Sequence, residues 1–301
     1  MTTGSDGRGR IARACAAVVL YRPDPSLLAR QAEGLRGCPF FAFANGPVDD
    51  AALAALVPTD LRLIRSPVNL GLGHGLNAVM AAAAGEGFDQ VMLLDQDSEP
   101  GPRLLEALAD RSAALRDAGL RVGVLAPRLV PPPEGHYKPI RYEWRRGADE
   151  AGLAAVDFAP TSASLVSMAA YADVGGFRED FFIAGIDVEW GFRAWRRGWG
   201  SYVATDLTVP HRWGEAVSSD ELGKPQILRH SRLRNYYYAR NVIATARLGH
   251  VPWRWRAKSC AALAAQIVVL AAKGANGSLE PLRAGLLDGL RGRLGSAPTE
   301  Y

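Results

Sequence analysis

The chain has 301 residues, 48% of them hydrophobic and 22% charged, a balance that supports one large core and excludes an extensively disordered protein. The net charge of +4 is modest, and the lack of any recognition motif argues against nucleic acid as a partner. Cys15, Cys38 and Cys260 show no CxxC spacing, so neither a disulfide framework nor a structural zinc site is expected, and a reducing cytoplasm fits.

Residues 1–12, polar and glycine-rich, are expected to form a disordered tail. The apolar run Ala14–Leu20 is short, has no cleavage site and predicts a buried strand rather than a signal peptide. From there short apolar runs alternate with helical patterns, as a parallel sheet with crossover helices requires. Helices are predicted over Pro25–Leu35, from a cap at Asp49 to about Val57, over Gly73–Gly85 and over Pro102–Ala118. Strands are predicted at Phe40–Ala44, Leu61–Arg65, Gln90–Leu94 and Val122–Ala126. Pro131–Asp157 has no clear period and reads as a long loop or an irregular hairpin. Beyond it come a strand at Thr161–Ser167, a short helix at Ala169–Val174, a turn at Gly175-Gly176, a helix over Asp187–Arg197 and a strand at Trp199–Ala204. From Pro225 onward about three helices follow, broken near Gly249–Pro252 and Gly274–Gly277.

Several segments carry candidate chemistry. Asp95-Gln96-Asp97 follows a strand end, where open α/β sheets bind ligands, and two carboxylates in one turn can hold a hard divalent cation. The same residues also read as a plain turn leading into the next helix. Asn69-Leu70-Gly71-Leu72-Gly73-His74-Gly75-Leu76-Asn77 opens a helix and is either a phosphate or nucleotide contact or a glycine-rich turn; lacking GKS/T, it is not a P-loop. Asp187, beyond the aromatic turn Gly175–Phe182, is either a general base or a helix cap, with Glu189 a first-turn charge. His211, after a strand, could complete a metal site with Asp97 or simply pack at the surface.

In this order, Val18-Val19-Leu20-Tyr21 with Pro23, Asn45-Gly46, Asn69 to Asn77, Leu94-Asp95-Gln96-Asp97-Ser98, Val174-Gly175-Gly176-Phe177, Phe182 to Arg193, His211 and Tyr236-Tyr237-Tyr238-Ala239-Arg240-Asn241 resemble the family 2 glycosyltransferases. Within that family they resemble the bacterial rhamnosyltransferases. The resemblance covers Ala14 to Arg247. It implies an α/β, Rossmann-like GT-A domain with a mostly parallel central sheet over residues 13–224, and a helical region over 225–301 for acceptor, membrane-surface or oligomer contacts. It also implies a nucleotide diphosphate-sugar donor, with the Leu-Asp-Gln-Asp-Ser form pointing to dTDP-L-rhamnose, a Mg²⁺ or Mn²⁺ ion, inversion at the anomeric carbon, and a hydroxyl acceptor on a glycan, glycolipid or small molecule.

On this resemblance Tyr21 and Asn45 lie near the nucleoside base and Asp95 near the ribose, and Asp97 and His211 bind metal. Asp187 deprotonates the acceptor. Asn69, Gly71, Asn77 and Gln96 complete the donor site, and Glu189, Trp190 and Arg193 meet the acceptor or support the residues that do. Two positions depart from the family pattern: Ala44 stands where many relatives have Asp, and Ile186 where many have Glu, which leaves base and sugar specificity open. A sugar nucleotidyltransferase is disfavoured because Tyr21-Arg22-Pro23-Asp24 is no triphosphate loop. A non-catalytic nucleotide-sugar-binding protein is disfavoured by the retained Asp97, Asp187 and His211.

The C-terminal region adds a charge asymmetry, since Arg229 to Lys258 holds seven Arg and one Lys without an acid. Val251-Pro252-Trp253-Arg254-Trp255-Arg256 has an interfacial character, with a layer packed on the sheet or a homo-oligomer contact as the other readings. The apolar run Cys260–Ala272 falls short of the roughly 18 to 20 residues that span a bilayer, so no transmembrane helix is expected. A cytoplasmic enzyme is the expectation, with peripheral contact at the inner face of the cell membrane as one of these readings.

Overall fold

A computed structural model describes residues 14–133, 137, 142–212 and 231–298. The expected tail at 1–12, part of the loop after Pro131, and the start of the helical region at Pro225 lie outside the described residues. Nine strands form one sheet: β1 (Ala14–Leu20), β2 (Pro39–Asn45), β3 (Asp60–Ser66), β4 (Gln90–Leu94), β5 (Val122–Val130), β6 (Trp144–Arg146), β7 (Leu153–Val156), β8 (Ser164–Ser167) and β9 (Gly200–Pro210). Their order is β3-β2-β1-β4-β8-β5-β9-β7-β6. Parallel pairing joins β1 to β2 and β4, β2 to β3, and β5 to β9, whereas β8 runs against β4 and β5, and β7 against β9 and β6. All strands but β7 and β8 therefore point one way.

The helices are α1 (Pro25–Gly34), α2 (Asp50–Ala54), α3 (Leu72–Gly85), α4 (Leu104–Asp117), α5 (Met168–Val174), α6 (Ile186–Arg196), α7 (Arg232–Ala246), α8 (Trp253–Ala272) and α9 (Asn276–Arg291). The period-two alternation of β1 divides the interior in two. Ala14, Ala16, Val18 and Leu20 join Leu28, Leu56, Leu104 and Leu108 on one face, and Cys15, Ala17 and Val19 join Leu76, Val79, Phe177 and Trp190 on the other. A third, smaller core of Ala239, Val242, Leu263, Leu270, Leu279 and Leu282 knits α7, α8 and α9 together.

The irregular-hairpin reading of the segment after Pro131 matches β6–β7 at the sheet edge. Two other elements exceed the sequence-based expectation. Strand β9 runs beyond Ala204 through a bulge: Ala204 pairs with Pro127 but Thr208 pairs with Arg128, so the polar Thr205–Leu207 step loops out without ending the strand. Helix α8 is a continuous 20 residues whose most apolar 18-residue stretch has a mean hydropathy of 1.2, long and apolar enough by length and composition to cross a membrane. The apolar run alone had predicted otherwise, because it omitted the Trp-rich first turns.

Candidate active site

Asp95 and Asp97 leave the carboxyl end of β4 in a turn closed by the Ser98 N–H on the Asp95 carbonyl, 3.0 Å. Gln31 of α1, fully buried, fixes that turn by donating Nε2 to the carbonyls of Asp95 (2.8 Å) and Ser98 (2.9 Å). Ser162 Oγ donates to Asp95 Oδ2 from the segment before β8. His211 arrives from the far end of the bulged β9, its N–H bonded to the Val130 carbonyl at 2.8 Å. Ligand atoms of Asp95, Asp97 and His211 all lie within 4.8 Å of one another. Burial, reinforced by the neighbouring Asp95 charge, pushes the Asp97 carboxyl above its usual range, against the opposing pull of His211 and Arg234. Two crowded carboxylates and an imidazole make a donor set that fits a divalent cation, which would relieve that repulsion.

Asp187 stands in the first turn of α6, with Gly185 (φ 75°) at the cap position. Its Oδ1 accepts from the Val188 N–H at 2.9 Å. Burial raises its pKa to about 6, with the Asp95 charge adding to the rise and the Val188 bond and Arg234 opposing it. Asp97 and Asp187 both feel the charges of Asp95 and Arg234, so the acidic cluster and the separate carboxylate lie within electrostatic reach of each other.

The chain reaches Asp187 through Phe182 (φ 63°) and Ala184 (φ 70°), both in the left-handed region that non-glycine residues rarely adopt. What holds them there comes from α7. Asn241 Nδ2 is within 2.8 to 2.9 Å of the carbonyls of Phe181, Ile183 and Ala184. Arg240, fully buried, donates to the carbonyls of Asp180, Phe181 and Gly295 and packs against the rings of Tyr236 and Tyr237. Tyr237 stacks on Phe182, centroids 5.0 Å apart and rings 7° from parallel. The Tyr/Arg-Asn segment recognised in the sequence therefore clamps the approach to Asp187.

The remaining predicted donor residues divide into two groups. Tyr21 is 42% exposed at the end of β1, and Asn69 sits in the loop after β3, where its Oδ1 accepts from the Gly71 N–H at 2.9 Å. Asn45 is buried at the end of β2, and its Oδ1 accepts from the Leu70 N–H at 2.7 Å, shaping the same loop. The others are committed to the protein itself. Gln96 accepts from the Tyr21 N–H (2.9 Å) and donates to the Tyr21 carbonyl (3.2 Å), stitching the ends of β1 and β4. Asn77 uses its whole amide on Phe177 N and O, Tyr171 Oη and Glu179 Oε1. The glycines of Asn69–Asn77 serve close packing. A Cβ at Gly71 (φ 88°) would lie 2.8 Å from the Phe182 carbonyl oxygen, and one at Gly73 would overlap that of Arg178. His74 Nδ1 meets Glu179 Oε2 at 2.9 Å.

Glu189 and Trp190 are each 1% exposed, which turns both away from any acceptor. Glu189 pairs with Arg193 through two contacts of 2.8 to 2.9 Å, and Arg193 bonds the carbonyls of Val174 and Gly176 while Trp190 Nε1 bonds that of Gly175. All three tie α6 to the Gly175-Gly176 turn and so hold the helix that carries Asp187. Arg234, exposed on the first turn of α7, is a residue the sequence reading did not single out, since one cation within a basic run carries no pattern of its own.

Residues 49–165 match the family model described as "Glycosyl transferase family 2". Among curated proteins the chain is similar to the dTDP-rhamnosyl transferase RfbF of Shigella flexneri, 25% identical over 61% of this chain and 62% of that protein. It is also similar to an N-acetylglucosaminyl-diphospho-decaprenol L-rhamnosyltransferase of Mycobacterium tuberculosis, 28% identical over 58% of this chain and 67% of that protein. The match thus spans less than two thirds of the first relative's length. Among solved structures the fold resembles GalNAc-T7 crystallised with UDP, GalNAc and Mn²⁺, with a TM-score of 0.52 at 11% identity over 82% of this chain and 54% of the other.

Proposed function

We propose that this chain, which carries a family 2 glycosyltransferase domain of GT-A fold, transfers a sugar from a nucleotide diphosphate donor to a hydroxyl acceptor with inversion at the anomeric carbon. The donor we assign is dTDP-L-rhamnose, supported by the likeness to two rhamnosyltransferases, one of them described as a dTDP-rhamnosyl transferase. The acceptor is a hydroxyl of a glycan, glycolipid or small molecule. The observation that carries the reading is the Asp95–Asp97–His211 cluster, whose Asp95 charge reaches the raised carboxyl of Asp187.

In this reading Asp187 takes the acceptor hydroxyl proton as that oxygen attacks the anomeric carbon from the face opposite the diphosphate. A carboxylate with a pKa of about 6 is ionised at neutral pH yet basic enough to accept a proton in the transition state. Asp97 and His211, with Asp95 beside them, would hold Mg²⁺ or Mn²⁺; when bound, the ion supplies positive charge for the diphosphate oxygens. Arg234 adds a cation that favours the ionised form of both Asp97 and Asp187. Tyr21 and Asn69 meet the nucleoside end, Asn45 shapes the loop that carries Asn69, and the clamp on α7 keeps Asp187 aimed.

The test is a thermal-shift and hydrolysis panel of dTDP, UDP and GDP sugars with and without Mn²⁺. A shift selective for dTDP-L-rhamnose that requires the metal in the native chain and loses that requirement in Asp97→Ala is expected. Equal shifts with every nucleotide, or an unchanged metal requirement in Asp97→Ala, would reject the donor or the assigned metal residues respectively.

A further inference from the structure

Helix α8 leaves most of its circumference uncovered. Only Leu263 and Leu270 are fully buried, turned toward α7 and α9, while Trp253 is 71% and Val268 65% exposed. Helical spacing sets Ala257, Ala261, Ala264 and Ala265 on the same outward side as Val268. The sequence left three readings of this helix open, and its bare face removes the one in which it packs as a layer against the sheet.

The charges select among the others. Arg254, Arg256 and Lys258 on α8 and Lys273 at its end are all cationic, and the helix holds no acid. Arg256 is spent on the carbonyls of Leu248 and Val251, and Lys258 pairs with Glu143 of the edge hairpin. Arg254, lying against the Trp253 ring at 5.7 Å, and Lys273 have no acidic partner among the described residues. A two-fold contact between copies would set this face against itself, with no acid on it to meet those cations. An anionic lipid surface supplies both the negative charge and the apolar medium. Crossing the bilayer is disfavoured, because α7 and α9, bound to the inner side of α8, carry exposed charges such as the Arg232–Glu280 pair.

We infer that the outer face of α8 docks in the plane of a bilayer rich in anionic phospholipid, with Trp253 and Val268 in the interface and Arg254 and Lys273 on headgroup phosphates. Trp255, on the same helix, packs edge-on against Phe192 of α6, centroids 5.5 Å apart, so docking α8 brings the helix of Asp187 close to the lipid surface. The inference goes beyond the proposed transfer reaction and stands on different residues.

The experiment is flotation of the full chain with phosphatidylcholine vesicles and with phosphatidylglycerol–phosphatidylcholine vesicles across a salt series. Binding confined to the anionic vesicles and weakened by salt is expected, with Arg254→Ala and Lys273→Ala each lowering partition about fivefold. Val268→Glu and Trp253→Glu should lose flotation by tenfold or more, a penalty on the order of that for placing a charge in the membrane interface, with melting temperature and donor hydrolysis unchanged. No flotation at low salt overturns the inference, as does a dimer seen by light scattering that Val268→Glu dissociates. Donor hydrolysis measured without vesicles reports on the transfer reaction separately, so the two readings fail independently.

Discussion

Asp187 gives the sharpest expectations at the level of single side chains. Its pKa of about 6 means that the required ionised form is lost as pH falls through that value, so kcat/KM should drop on the acid side with a limb near 6. Removing the Arg234 cation stabilises the protonated form, and Arg234→Ala should therefore move that limb to higher pH, measured by pH-rate profiles of both proteins. Asp187→Asn should reduce kcat roughly 10²- to 10⁴-fold while donor affinity holds. The same substitution has a stability consequence of known sign. A carboxyl whose folded pKa lies above its unfolded value destabilises the fold as pH rises through about 6. Asp187→Asn should then be more stable than the native chain at pH 8 by on the order of 1 kcal/mol, with the difference vanishing near pH 4 in urea titrations. The acidic residues and His211 were legible in the sequence because their types and strand-end positions carry chemistry. Asn77, Gln96 and Glu189 show the opposite case. Each resembles a ligand by residue type, but the groups that consume Gln96 and Asn77 lie 75 to 102 residues away in the chain, and Glu189 is matched by Arg193 in a buried pair that local pattern cannot distinguish from a solvated one.

Among elements, α7 and β9 decide whether those side chains meet. Asn241→Ala strips a donor from three carbonyls of the left-handed segment before Asp187, at a cost of about 1 to 3 kcal/mol in folding. Because the segment then relaxes, kcat should fall well beyond any change in donor KM, a split that a purely structural loss would not produce. The succession of strands and helices was readable from hydrophobic periodicity through α4, since each run has a length and bounding turn of its own. The end of β9 was not. Thr205 and Asp206 read as a strand terminus, yet Arg111 takes Asp206 in an exposed ion pair and the bulge lets pairing resume, which carries His211 to the acidic turn.

Across the whole molecule, the helical region packs as a structural part of the fold that carries Asp187. Gly285 and Gly289 bring α9 against α7: a Cβ at Gly285 would overlap the Tyr236 carbonyl oxygen, and one at Gly289 would lie 2.8 Å from that of Arg240. Gly285→Val should separate these helices at a cost of roughly 1 to 3 kcal/mol. Activity should fall with it, although the substitution lies on a different helix from every acidic residue of the site, as urea unfolding and turnover on one preparation would show. Sequence resemblance located this region's Tyr/Arg-Asn pattern but not its task, because that task is defined by carbonyls of a segment some 60 residues earlier.

The bond from Arg240 to the Gly295 carbonyl, together with that from the Gly295 N–H to the Asp180 carbonyl, has a bearing on synthesis. A nascent chain can present its acidic turn, His211 and Asp187 long before residue 295 has left the ribosome. Until that late stretch arrives, the loop leading to Asp187 is held by fewer anchors, so under the proposed reaction a partly made polypeptide has little means of consuming activated sugar.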